Sequence, residues 1–212
     1  MPERPSVLTT HGLWNTGLEA TILRQRLARR GFAVSAFHYR SLTATVAAAI
    51  EEFRVAVVGL PPPVHLVGHS LGGLVVLRLL ELHPDLPIGR VVLLGSPVNG
   101  SASARAVIRF PGAAWLFGPL ADAELLNAAP RAWRHPFPVG VIAGSNSFSF
   151  GKLFNELPEP NDGTVTVEET RLEGATDHLV LPVSHTGMMF AESVVAAIAD
   201  FLANGRFSPP AA

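Results

Sequence analysis

The 212-residue sequence predicts an α/β fold with about six mostly parallel strands and helices on both faces of the sheet. Three observations carry that reading. Short apolar runs of strand length recur along the whole chain. Stretches of helical length separate most of them, which supplies the crossovers that parallel neighbours require. The runs are near-continuous in Val and Leu, as in strands buried on both sides, and do not alternate with polar residues.

The elements follow in order. Residues 6–10 are a short β-type segment, the first strand, which ends in His11-Gly12. Thr16-Gly17-Leu18-Glu19 has the spacing of a capping box, so a helix is expected to reach Arg30, with Gly31 as its stop. Residues 32–38 read as the second strand and 42–60 as the second helix. Pro61-Pro62-Pro63 ends that helix, because proline has no N–H for the helical ladder. A strand over 64–68, a helix over 71–83 and a strand over 91–94 come next. Residues 139–144 and 179–183 are two further strands, and 190–204 is a closing helix. With no repeat and no linker, this length predicts one domain over residues 1–212.

Composition removes several classes of function. The absence of cysteine excludes a disulfide framework, a thiolate metal site and a cysteine nucleophile. Lys and Arg number 16 against 17 Asp and Glu, which leaves no positive excess for nucleic-acid phosphates. No run has the length of a membrane span, so stable membrane insertion is not expected. No secretory signal is visible at the start, and the expected setting is the cytoplasm of a bacterium-like cell. No His-Glu-x-x-His occurs, and neither metal nor cofactor is expected.

The segment Val64-His65-Leu66-Val67-Gly68-His69-Ser70-Leu71-Gly72-Gly73 carries the sharpest signal. Gly-x-Ser-x-Gly alone is a weak pattern in a glycine-rich chain. Here a buried strand runs straight into it and a helix straight out. So sharp a turn strains the serine backbone and needs small neighbours, which Gly68 and Gly72 provide. The Ser70 hydroxyl is then expected above the sheet at the positive end of the following helix.

These residues resemble the α/β-hydrolase superfamily, in particular its small bacterial serine esterases and lipases, and the resemblance extends over essentially the whole chain. It implies a single α/β-hydrolase domain without a large cap and a Ser–His–Asp acyl-transfer enzyme whose triad runs Ser, acid, His along the chain. A base for Ser70 belongs beyond the carboxyl end of a late strand, where His185 lies; His178 falls at the opposite end of the same strand. Val183-Ser184-His185-Thr186-Gly187-Met188 also looks like the family's histidine loop. For the acid, Asn161-Asp162-Gly163-Thr164-Val165 is a turn sequence that resembles the family's acid loop, which makes Asp162 the first choice. Glu156 and Glu159 share that loop and stay open as alternatives; Asp177 meets the same objection as His178. His11-Gly12 resembles the family's oxyanion loop, with Leu71 N–H as one expected donor and Leu13 N–H, then Trp14, as the other.

His11, Gly12, Trp14 and His69 are expected to line the substrate pocket. Residues 98–137 are apolar and too short for a separate domain; they read as one or two helices, over 104–110 and 121–127, forming a small lid or an acyl-pocket wall. Phe148, Phe150, Leu153 and Phe154 form a second apolar cluster. The expected reaction is hydrolysis of small hydrophobic esters of short to medium chain length. A lipase for long acyl chains, or an acyltransferase or thioesterase using the same triad, is the alternative.

Overall fold

The computed structural model describes residues 4–13, 20–126, 129, 131–147 and 157–208. Six parallel strands form one sheet in the order β2-β1-β3-β4-β5-β6: β1 Ser6–Thr10, β2 Ala33–Phe37, β3 Val64–His69, β4 Ile88–Leu94, β5 Val139–Gly144 and β6 Asp177–Leu181. The helices are α1 Thr21–Arg29, α2 Val46–Val58, α3 Leu71–Leu82, α4 Ala102–Val107, α5 Gly118–Ala121 and α6 Glu192–Asn204.

Side chains alternate along each strand, so each central strand feeds two cores. Leu8, Leu66, Leu93 and Val141 join Phe53 of α2 and Leu74 of α3 on one face. Val7, Val67, Leu94 and Ile142 join Leu27 of α1 and Ile198 and Phe201 of α6 on the other. Full burial of Phe53 and Phe201 contributes roughly 2–3 kcal/mol each. The strand order reverses between β1 and β3, and such a reversal opens a crevice at the carboxyl edge of the sheet.

Most elements lie within a few residues of their expected bounds. Gly31 stops α1 at φ +98°, and Gly205 ends α6 in the left-handed region. The capping box at residues 16–19 lies outside the described residues. The helix expected from residue 42 begins at Val46, because the Thr45 side chain caps it by accepting Ala48 N–H at 3.2 Å. The last strand corrects the reading of 179–183: it spans Asp177–Leu181. The ladder ends where Val183 N–H turns back across Pro182 to Leu181 O at 2.8 Å, while Asp177 Oδ1 accepts the His178 N–H at the strand's start.

The stretch over 98–137 forms α4, a 3-10 turn at Ala113–Leu116, and α5 continuing into the wider turn Asp122–Leu126. Val98, Ala104, Phe117, Leu120, Leu125, Trp133 and Phe137 bury it against the α2–α3 face, while Phe110 and Trp115 stand 54% and 76% exposed.

Candidate active site

The turn from β3 into α3 is the most strained backbone in the described residues. Ser70 there is the one residue other than glycine with positive φ, at φ 54° and ψ −125°. Its N–H donates to Leu94 O at 2.9 Å, and its carbonyl accepts Gly73 N–H at 3.0 Å. The approach leaves no room for side chains. A Cβ at Gly68 would lie 2.5 Å from Gly73 Cα, and one at Gly72 would lie 2.5 Å from His11 O. The glycines of the motif therefore let the turn close and bring the loop after β1 against α3.

That loop is His11-Gly12-Leu13. Gly12 sits over the serine, since a Cβ placed there would be 3.0 Å from Ser70 Cβ and 3.4 Å from His69 Nδ1. Leu71 is the first residue of α3, and the N–H groups of a helix's first turn have no partner within the helix. Leu13 packs on the α2–α3 core. Trp14 lies outside the described residues.

Asp162 and His185 meet beyond the ends of β4 and β5. His185 Nδ1–H donates to Asp162 Oδ2 at 2.7 Å, and both residues are buried. A Cβ at Gly95, just after β4, would touch both, and one at Gly144 would meet Asp162 Cβ. The Asp-Gly turn aims the carboxylate: Oδ1 accepts the N–H groups of Thr164 and Val165 at 2.9 and 2.7 Å. The His185 N–H donates back to Asp162 O at 2.9 Å, so the two loops are joined by backbone and side chain. With Nδ1 committed as donor, a neutral His185 carries its lone pair on Nε2.

His69 joins the serine turn to the histidine loop. Its Nε2–H donates to His185 O at 3.1 Å and its ring lies 4.7 Å from the His185 ring. Burial, reinforced by the neighbouring His185, pushes the His69 imidazole down to about 3, so it is neutral. His69 thereby ties the serine turn to the backbone of the histidine loop.

Ser70, Asp162, His185, His11, Gly12, Leu13, Leu71 and His69 thus gather at the carboxyl edge of the sheet. His178 does not: it lies near the amino end of β6, where its Nε2 is 3.0 Å from Thr170 Oγ1. Asp177 is spent on the N–H groups of His178 and Phe207. Glu156 and the apolar cluster Phe148, Phe150, Leu153 and Phe154 lie outside the described residues, and Glu159 is exposed. Tyr39 was not singled out in the sequence. Its hydroxyl donates to His11 O at 2.8 Å. The available signals were its status as the only tyrosine and its place just after β2.

Among the described residues, no three His, Asp or Glu side chains group as metal ligands. No helix there is long and apolar enough to cross a membrane.

Residues 7–205 match the model of the alpha/beta hydrolase family. No curated protein matches the chain in sequence. Among solved structures, the mature form of Bacillus licheniformis lipase BlEst2 is similar at 18% identity and TM-score 0.76, over 96% of this chain and 92% of that one. The metagenomic carboxyl esterase MGS0156 is similar at 18% identity and TM-score 0.65, over 87% of this chain and 65% of that one. The pyrethroid hydrolase PytH is similar at 15% identity and TM-score 0.68, over 96% and 99%. At these identities the likeness is one of fold.

Proposed function

Because the chain belongs to the alpha/beta hydrolase family, we propose that it is a serine carboxylic-ester hydrolase working through an acyl-enzyme. The observation that carries this reading is the buried 2.7 Å bond from His185 Nδ1–H to Asp162 Oδ2 at the sheet edge where Ser70 is held at positive φ. A serine hydroxyl is a poor nucleophile until a base takes its proton. An imidazole held in the Nδ1–H tautomer by a buried carboxylate is such a base.

Ser70 Oγ attacks the ester carbonyl carbon while His185 Nε2 takes the hydroxyl proton. The carbonyl π pair moves onto oxygen, which the N–H groups of Leu71 and Leu13 hold. Collapse of the tetrahedral centre breaks the bond to the alkoxy oxygen, and His185 returns the proton to that leaving group. Water, deprotonated by His185, then attacks the acyl-Ser70 carbonyl and releases the acid. Asp162 keeps the ring oriented and stabilises the imidazolium throughout. The substrates are small apolar esters.

The test is the initial rate on p-nitrophenyl esters from acetyl to palmitoyl, with Ser70→Ala beside wild type. Turnover that disappears in the variant is expected, highest at short to medium length. A maximum at palmitoyl would make the enzyme a lipase. A wild type no faster than Ser70→Ala on every ester would overturn ester hydrolysis and direct the search to thioesters and acyl transfer.

A further inference from the structure

We propose that Tyr39 is a positioning residue for the oxyanion loop, acting on two successive peptide groups through His11. The proposal rests on the hydrolase reading above and concerns how its oxyanion donors are aimed.

The argument starts from the planar trans peptide, whose N–H points opposite to its C=O. To fix a carbonyl is to fix the N–H of the next residue. Tyr39 O–H donates to His11 O at 2.8 Å, which sets the peptide joining His11 to Gly12. His11 Nδ1–H donates to Gly12 O at 2.9 Å, which sets the next peptide and with it the direction of Leu13 N–H. A carbonyl only accepts, so His11 must carry its proton on Nδ1. The imidazole that makes this second bond is itself held by Tyr39, whose ring stacks on it at 4.7 Å and 5°.

Tyr39 is a firm anchor. It is buried, and Phe37 stacks against it at 6.0 Å. Phe37 in turn lies 4.4 Å from Phe53 of α2, so the column His11–Tyr39–Phe37–Phe53 runs from the loop into the core. Burial raises the Tyr39 pKa, so its hydroxyl stays protonated and stays a donor through the neutral range. On its other side His11 O packs against Gly72 in the first turn of α3, the turn that carries Leu71. The two expected donors are thereby referenced to one another.

The experiment uses Tyr39→Phe, which keeps the aromatic column and deletes the hydroxyl. Active sites are counted by fluorophosphonate titration, and kcat and KM are measured on a p-nitrophenyl ester and on its thiono analogue. Removal of an oxyanion donor costs ~10²–10³ in kcat, and loosening one should cost roughly tenfold. The expected result is that loss in kcat per titrated site, with KM unchanged. A thiocarbonyl sulfur gains little from the oxyanion donors, so the oxo-to-thiono rate ratio should fall by a similar factor. His11→Phe keeps the stack, loses the Nδ1–H, and should lower the same ratio, which provides a second reading should Tyr39→Phe fail to fold. A purely structural role would reduce the titrated sites and leave the ratio alone. Ser70-dependent turnover with an unchanged ratio in both variants overturns the role of Tyr39 and spares the hydrolase reading. No Ser70-dependent turnover in wild type overturns both.

Discussion

Asp162 uses its two carboxylate oxygens differently. Oδ1 accepts the N–H groups of Thr164 and Val165 and so holds its own loop, while Oδ2 takes the His185 Nδ1–H. Asp162→Asn retains one oxygen for the loop and turns an NH₂ toward His185, which then adopts the other tautomer. The expected loss is ~10⁴ in kcat with the fold kept, checked by kcat alongside thermal melting. Gly72→Ala has a different signature. Its Cβ would meet the His11 carbonyl at 2.5 Å, so either the helix or the loop His11-Gly12-Leu13 must shift. Overpacking of this kind costs about 1–3 kcal/mol, read as a lower urea midpoint, and kcat should fall with it. At this scale the sequence was informative where local chemistry marks a residue. Ser70 and Asp162 sit in turns whose glycines are visible, and His185 follows a visible strand. Tyr39 was not legible, because its partner is a backbone carbonyl 28 residues away and no local pattern records such a bond.

The stretch over 98–137 is tied to the rest of the fold at two places. At its start Glu169 Oε1 accepts Ala102 N–H, Glu169 Oε2 accepts Thr166 N–H, and Ser103 Oγ–H donates to Thr164 O. The start of this stretch and the loop that follows Asp162 thus hold each other. At its other end Glu124, only 1% exposed, pairs with Arg78 of α3 at 2.9 Å and with Arg131, whose guanidinium also reaches Leu74 O. Glu124→Ala leaves the largely buried Arg131 only the partly exposed Glu81, at 3.3 Å, as a carboxylate partner, and should cost about 1–3 kcal/mol in urea denaturation. Glu168→Ala, which breaks an exposed pair with Arg171, should change stability by less than ~1 kcal/mol. The apolar sequence did not show how this stretch is anchored, because periodicity records neither a buried carboxylate's partners nor which face they lie on. The strand bounds around Pro182 were misread for a simpler reason. Val180-Leu181-Pro182-Val183 is apolar throughout, and the Val183 N–H turns back to Leu181 O and leaves the ladder although the hydropathy continues.

For the whole molecule, the buried imidazoles set how stability depends on pH. His69, His65 and His178 all have lowered pKa values, with burial the leading cause in each, and His69 is pushed furthest, to about 3. In the unfolded chain a histidine titrates near its ordinary value of ~6.5. Below that pH the unfolded state binds protons that the folded state refuses, so stability must fall as pH falls. For His69 the window runs from about 6.5 down to about 3, with the unfolded state ahead by up to one proton, or roughly 1 kcal/mol per pH unit. Above pH 7 both states are neutral at this site and the contribution is flat. Urea midpoints at pH 7, 6, 5 and 4 should therefore decline in wild type. His69→Gln offers an amide N–H to the His185 carbonyl and has no proton to gain, so its decline should be shallower by that one proton. Parallel curves would mean that His69 takes up its proton within the folded protein. A charged ring would then lie 4.7 Å from His185, and His69 could not be the permanently neutral donor that holds the His185 loop.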